Sequence, residues 1–367
     1  MSAATELAAR LVAIESVNPG LVAGGAGERE IAAFVAGWCR ERGLEVKVVG
    51  DARPSVIAVR RGSGGGRSLL VNGHLDTVGL VGMEAPLEPR IEGGRLYGRG
   101  SYDMKGALAA ALVAVAEAPP LRGDLIVTAV ADEELGSIGT ETVLGLVRAD
   151  AAIVVEPTDL QVAVAHRGFV GFEIETAGVA AHGSRPDLGV DAIVKMAPIL
   201  AALQELDAAL QGGPSHPLAG AASLHASLIE GGQELSSFPA RCVLTGERRT
   251  IPGETVDQVE SELRAAAGDA GVRLIASRAP LEAPVDHPFV ALAAEAAGVR
   301  ELVGARFWTD AALIAEAGIP VVLFGPAGEG AHAAVEWVDL ASLDVVRDAV
   351  ARIAVEWCGL DEVVVPT

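Results

Sequence analysis

Four short, continuous apolar runs constrain this chain more than any other feature: SLLVNG (68–73), LIVTAVA (125–131), AAIVV (151–155) and PVVLFG (320–325). Runs of this length without polar alternation suit strands covered on both faces, as in a sheet with helices on each side. Helical patterns fall around them, at 5–16, 28–42, 104–118, 288–298 and 340–357, the third stopped by Pro119-Pro120. Val46–Val49 and Ser55–Val59 read as further strands, and the loop RRGSGGGRS (60–68) reads as a flexible hairpin turn. The expected class is α/β, with a mixed central sheet flanked by helices.

The pattern changes near residue 167. FVGFEIETAG (169–178) alternates with period two, a helix follows over roughly 190–210, and ASLHASLIEGG and ARCVLTGERRT read as strands. A helix at 255–268 and the strand VRLIAS complete the order β-α-β-β-α-β, which predicts a ferredoxin-like α+β domain. It would occupy 168–278 and be inserted between two halves of the first domain, 1–167 and 279–367. A chain of 367 residues exceeds what one hydrophobic core usually serves, which also favours two domains.

A net charge of −21 sets the chain against phosphate backbones, so nucleic acid is not an expected partner. Cys39, Cys242 and Cys358 lie far apart and show no CxxC spacing. Reduced thiols in a cytoplasmic protein fit that pattern better than a disulfide framework or a thiolate metal site. Glu6 and Arg10 interrupt the first apolar pattern, so it reads as an amphipathic helix and not as a signal peptide. The longest apolar tract, Gly106–Ala116, falls short of the ~20 residues a membrane span needs.

Chemistry gathers just beyond the apolar runs. His74 and Asp76 follow the first, Glu133 and Glu134 the second, Glu156 the third, and His332 lies seven residues beyond the fourth. Asp103 stands in GRGSYDMKG, where Gly98 and Gly100 let the chain turn sharply. Open α/β sheets bind ligands outside the carboxyl ends of their strands, which is where these side chains would meet. Two residues apart in extended chain, His74 and Asp76 point to one side, so Asp76 can orient the imidazole. Glu133 and Glu134 point to opposite sides, so one can bind metal while the other stays free as a base. Two imidazoles and three carboxylates (His74, His332, Asp103, Glu134, Glu156) suit two zinc ions if one carboxylate bridges them. Two glycine-rich stretches are decoys: GSGGGRS lacks GK[ST] and precedes a strand, and Gly98-Arg99-Gly100 lacks the third glycine of a dinucleotide fingerprint.

NGHLDTV, GRGSYDMKGA, ADEELGSIGT, VVEPTDL, AAHGSRPDLGVDAI and FGPAGEGAHAAVEWV, in that order, resemble the zinc metallopeptidase and deacylase family. That family includes acetylornithine deacetylase, succinyl-diaminopimelate desuccinylase, aminoacylase and carboxypeptidase G. The resemblance spans nearly the whole chain. It implies that His74 and Glu156 bind one zinc, that Glu134 and His332 bind the other, and that Asp103 bridges them, with cobalt as a substitute metal. It further implies that Asp76 orients, that Glu133 is the general base for a zinc-bridging hydroxide, and that His182 is an oxyanion donor supplied across a homodimer. Arg249 matches the arginine that grips the substrate carboxylate. Where relatives carry asparagine after a Gly-Gly pair, Gly231-Gly232 leads here to Ser236, so the acyl pocket differs. His166 stands where relatives often carry lysine, while His216, His225 and His287 carry no partner pattern and read as structural.

The expected activity is hydrolysis of the amide bond in a small N-acyl amino acid. The alternatives are a carboxypeptidase G-like or dipeptidase-type metallo-exopeptidase, and a catalytically silent binding or scaffold relative.

Overall fold

The computed structural model describes residues 1–361 and divides into two compact units. The first comprises Met1–Val164, Ala283–Val303 and the chain from Thr309 onward; the second comprises Ala165–Glu282 and Gly304–Trp308. The sequence reading draws the insertion at 168–278 and leaves 304–308 outside it. The difference has a side-chain cause. Trp308 donates its indole N–H to the Ala279 carbonyl at 3.0 Å and packs edge-on against Phe169 and His166, carrying its segment into the second unit.

In the first unit the sheet runs in the order Glu45–Val49, Ser55–Arg60, Leu125–Val130, Leu69–His74, Ala151–Val154, Val321–Leu323, Ala163–His166. Its four central strands, Leu125–Val130 to Val321–Leu323, are mutually parallel, whereas the Ser55–Arg60 side is antiparallel, so the sheet is mixed. Every residue of Leu125–Val130, Leu69–His74 and Ala151–Val154 is buried, as expected of strands sandwiched between layers. The parallel arrangement points all four carboxyl ends to one edge.

The Ala-rich helix Gly106–Glu117 is buried through Val115, because small side chains let it pack between the helices Ala3–Val12 and Leu340–Cys358. Ser2 caps the first of these through the Thr5 N–H, and Asp339 caps the last through the Ser342 N–H at 2.8 Å.

The 60–68 loop is not the hairpin its glycines suggest. Ser55–Arg60 and Leu69–His74 pair with opposite edges of Leu125–Val130, so the loop crosses over that strand. Ser63 and Gly64 donate to the Leu121 and Arg122 carbonyls at 2.9 and 2.8 Å, which ties it down. A Cβ at Gly66 would stand 2.2 Å from the Cys358 carbonyl oxygen, which explains a residue without one.

The second unit has the strand and helix order Gly168–Ala177, Ala192–Gly212, Ser223–Gly231, Arg241–Thr250, Val256–Ala267, Gly271–Arg278. Its four-stranded antiparallel sheet places Arg241–Thr250 and Gly168–Ala177 in the centre. Val170, Phe172 and Ile174 face the two helices and pack with Met196, Leu203, Val259 and Leu263. Among the described residues no helix is long and apolar enough to cross a membrane.

All three cysteines are free and buried, and burial pushes the Cys39 and Cys358 thiols up to about 12. At pH 8 their thiolate fraction is then on the order of 10⁻⁴, and the thiolate is the reactive form. A colorimetric thiol reagent is therefore expected to label the native chain very slowly and all three thiols promptly in denaturant. Stoichiometric labelling of the native protein within minutes would contradict the burial described here.

Candidate active site

Each parallel strand delivers its acid or histidine to the same edge. His74 ends Leu69–His74 and is almost fully buried. Its Nδ1 lies 2.9 Å from the main-chain oxygen of Asp76 and 3.7 Å from that residue's carboxylate. The backbone carbonyl, more than the carboxylate expected from the HxD spacing, thus holds the ring with Nε2 free for a ligand. That Nε2 faces Asp103 Oδ1 at 3.2 Å and Glu156 Oε1 at 3.9 Å.

Asp103 reaches this point in a kinked turn, Ser101–Lys105, in which Asp103 and Met104 leave helical φ/ψ; the regular helix starts at Gly106, where the sequence pattern suggests 104. Gly100 enters the turn at φ 78°, a left-handed conformation natural to glycine, and the Asp103–Met104 peptide is cis. The second oxygen, Oδ2, lies 3.3 Å from His332 Nε2, so one carboxylate addresses both imidazoles. His332 Nε2 also stands 3.1 Å from Glu134 Oε2. Two groups of potential ligands result, His74 with Asp103 and Glu156, and Asp103 with Glu134 and His332, the ligand atoms of each lying within 4.8 Å of one another.

The charges at this edge call for cations. Burial pushes the Glu133 and Glu156 carboxyls well above the usual range; the Glu156 charge adds to the rise at Glu133, and the Asp103, Asp310 and Glu134 charges add to it at Glu156. Asp103 feels the same burial, but the hydrogen bonds to His332 and His74 outweigh it and hold its carboxyl below the usual range. Burial lowers His74, yet Asp103 and the Glu156 and Glu133 charges more than offset this and raise it. His332, half-exposed, is pushed up to about 10 by its bonds to Asp103 and Glu134. Glu134 Oε1 is buried without a hydrogen-bond partner. Two imidazoles and three carboxylates, one oxygen unsatisfied, fit divalent metal ions.

Sequence reasoning missed the groups that hold this edge in place. The Asp76 carboxylate, beyond its place near His74, accepts the backbone N–H of Glu133 at 3.1 Å and of Glu134 at 3.2 Å. Asn18 donates to Asp76 Oδ2 at 2.8 Å and to Asp132 Oδ1 at 3.0 Å. Asp132 is paired in turn with Arg53, whose guanidinium also grips the buried Glu28. Asp310 is buried beside this array; burial raises its carboxyl, and Thr140 donates to its Oδ2 at 2.6 Å. No periodic pattern marks any of these residues. Their one legible signal is the turn-forming pair Asn18-Pro19, a few residues after the helix Ala3–Val12.

The two remaining site candidates belong to the second unit. His182 is exposed in the short strand Ala181–His182, its Nδ1 2.9 Å from Ser184 Oγ. Arg249 is partly buried on Arg241–Thr250, 2.5 Å from Glu247 and with its guanidinium 5.6 Å from the centre of the Phe169 ring. His166 is buried with Nδ1 2.9 Å from the Arg167 carbonyl. His216 meets Glu282 at 3.2 Å, and His287 caps the helix Pro288–Ala297, which are structural roles.

A mixed α/β sheet with this acid and histidine array at its carboxyl edge defines a metal-dependent hydrolase of amide bonds. The profile of Peptidase family M20/M25/M40 matches residues 70–356. Acetylornithine deacetylase of Myxococcus xanthus is 32% identical over 344 residues, covering 88% of this chain and 89% of that protein. N-formyl-4-amino-5-aminomethyl-2-methylpyrimidine deformylase of Bacillus subtilis is 30% identical over 380 residues, covering 90% and 89%. In fold, the chain is similar to an M20 family metallo-carboxypeptidase of Sulfolobus solfataricus, with TM-score 0.78, 18% identity, and 96% and 99% of the two chains covered. The chain belongs to Peptidase family M20/M25/M40.

The raised His332 has a consequence for metal uptake. At pH 7 the metal-free ring is protonated, since about 10 lies above 7, and a ligating imidazole must be neutral. Metal binding is thus expected to release protons, to tighten as pH rises toward 10 and to weaken as it falls. In the metal-free fold the sign is opposite: the His332 pairing stabilises fully below the ordinary 6.5 and is lost as pH rises through about 10. Calorimetric titration in two buffers of different ionisation enthalpy measures the protons released, and identical heats in both would refute the pairing.

Proposed function

We propose that this chain is a two-zinc deacylase that cleaves the amide bond of a small N-acyl amino acid, with Glu133 as general base. The observation that carries the reading is Asp103, whose two oxygens lie 3.2 and 3.3 Å from two different imidazoles, as a carboxylate shared by two ions requires. His74 and Glu156 would hold one ion with Asp103, and Glu134 and His332 the other. Bound zinc supplies Lewis acidity, polarising the amide carbonyl and lowering the pKa of water from ~15.7 toward ~7.

The chain's own groups do the rest. Glu133, its backbone N–H fixed by Asp76, takes a proton from water as the water oxygen bonds to the carbonyl carbon. The carbon–nitrogen bond then breaks, and Glu133 returns that proton to the leaving amine. In the metal-free fold, burial and the Glu156 charge raise the Glu133 carboxyl. His182 would donate to the oxyanion from a second copy of the chain, and Arg249 would bind the substrate carboxylate, for which a planar guanidinium is suited.

A homodimer through the second unit is supported by apolar side chains left exposed on adjoining elements. Ile193, Val194 and Leu200 lie on the helix Ala192–Gly212, with Leu228 and Ile229 on the strand Ser223–Gly231 packed against it. That strand is also a sheet edge, open to pairing. Buried free thiols support a reducing, cytoplasmic setting. Deacylation is favoured over exopeptidase action by two relatives at about 30% identity, one a deacetylase and one a deformylase.

A panel of N-formyl, N-acetyl and N-succinyl amino acids and dipeptides should show acyl substrates turned over fastest; preference for dipeptides would replace the deacylase reading. Glu133→Gln is expected to keep its metal and lose roughly 10²–10⁴-fold in kcat. Metal analysis beside turnover checks this, and near-normal kcat would remove Glu133 from the mechanism. Arg249→Ala should raise KM for acids by roughly 10–100-fold, the cost of a charged hydrogen bond, and far less for the matching amides. Equal effects on both would make Arg249 structural.

A further inference from the structure

Arg99 and Glu336 form an ion pair at 2.7 Å that is almost wholly buried, 237 residues apart in sequence, and neither is among the expected ligands or catalytic groups. An isolated buried pair is seldom worth its desolvation for stability alone. This one is embedded in backbone. Glu336 Oε1 accepts the N–H of Tyr102 at 2.9 Å and of Asp103 itself at 3.1 Å, and Oε2 accepts the N–H of Gly100 at 3.0 Å. A single carboxylate therefore satisfies three N–H groups of the turn that presents Asp103, a turn in which Asp103 and Met104 depart from helical φ/ψ.

Arg99 divides its remaining donors between the loop that bears His332 and the loop that follows Leu69–His74. Its Nη2 donates to the carbonyl of Ala333, next to His332, at 3.0 Å, and its Nε donates to the Gly79 carbonyl at 3.1 Å. Glu336 itself lies four residues beyond His332, on the segment leading into Trp337–Asp339. The pair thus joins two loops, each bearing one partner of the Asp103–His332 contact. His332 needs such a tether, being half-exposed and held at φ 63°.

We propose that Arg99 and Glu336 are positioning residues that fix the separation of Asp103 from His332, Glu336 serving the Asp103 turn and Arg99 the His332 loop. The inference rests on the two-metal reading above. It gives the two residues different signatures. Asp103 belongs to both ligand groups, so loss of Glu336 loosens both metal positions. His332 belongs to one, so loss of the Arg99 tether loosens that one alone.

The test titrates the metal-stripped, full-length chain with zinc against a competing chelator and reads two stepwise affinities. Arg99→Lys keeps the charge but cannot reach Glu336, Ala333 and Gly79 together. It is expected to weaken one of the two affinities by roughly 10–100-fold, as loss of groups that orient ligands does, and to leave the other within about 2-fold. Glu336→Gln should weaken both by at least ~10-fold and speed hydrogen exchange at the Tyr102 and Asp103 amides. In a His332→Ala background, Arg99→Lys should add no further loss. Val350→Ala, a buried truncation in the helix Leu340–Cys358, supplies a comparison for simple destabilisation. If Arg99→Lys and Glu336→Gln change the affinities no more than Val350→Ala, the proposal is overturned. Should Glu336→Gln not fold, Arg99→Lys and its His332→Ala double variant decide the matter alone. A wild-type chain that takes up fewer than two ions would refute the two-metal reading instead.

Discussion

The array at the carboxyl edge of the sheet is held against its own repulsion. Glu133, Glu134, Glu156, Asp76, Asp103 and Asp310 converge there, and burial makes each charge more expensive. Glu133, Glu156, Asp76 and Asp310 are all pushed upward, Asp76 to about 7, which is the response of acids that lack enough opposite charge. Asp103 is the exception because two imidazoles flank it. Folding brings these groups together only because four fully buried parallel strands and their covering helices supply the stabilisation. The site is therefore a local cost carried by the core, and metal binding offsets it. Metal affinity and fold stability are in this sense one quantity measured from two sides.

Such a cost is tolerable only if the acids cannot move apart. Asp76 shows how this is arranged. Its main-chain oxygen fixes the His74 ring, while its carboxylate fixes the backbone of Glu133 and Glu134, the proposed base and a proposed ligand. One residue thus relates three others, and Asn18 anchors it to Asp132 and onward to Arg53 and Glu28. Glu336 does for the Asp103 turn what Asp76 does for the Glu133 loop. In both places a carboxylate accepts backbone N–H groups, so the precision of the site comes from main chain held by side chain.

How legible this was depends on what carries the information. The central strands were readable because residues covered on both faces are mainly apolar: Ala151–Val154 is so throughout, and Leu69–His74 and Leu125–Val130 are broken only at Asn72, His74 and Thr128. The five candidate ligands were readable because each follows such a run or stands in a glycine-marked turn. The 60–68 loop misled, since glycines signal a turn whether the chain reverses or crosses over a neighbour. Trp308 was invisible as a boundary: its segment joins the second unit through the indole's contacts with Ala279, Phe169 and His166 and through Gly304 beside Leu218, and such isolated contacts have no period. Arg99 and Glu336 act largely through backbone atoms, which no sequence names, and Asn18 bonds carboxylates 58 and 114 residues away. Asp76 was noticed for its spacing from His74, yet the role of its carboxylate was hidden because its partners are amides 57 and 58 residues away.

The second unit shows period two resolving chemistry that composition cannot. Arg248 and Arg249 are adjacent and identical, but on the strand Arg241–Thr250 they face opposite ways. Arg248 is fully buried and paired with Glu254 at 2.6 Å and Glu262 at 3.2 Å, and it donates to the Arg249 carbonyl at 2.6 Å. Its charge is consumed inside the fold, where it fixes the backbone of its neighbour. Arg249 keeps part of its surface, stands over Phe169 and, among the described residues, is paired with Glu247. Its pair with Glu247 is only partly buried, so the substrate carboxylate proposed to bind Arg249 would meet one partner there, where Arg248 has two. A fully buried arginine with two glutamates could not be recruited that way. The fold thus spends one arginine on rigidity, which leaves the other free for exchange.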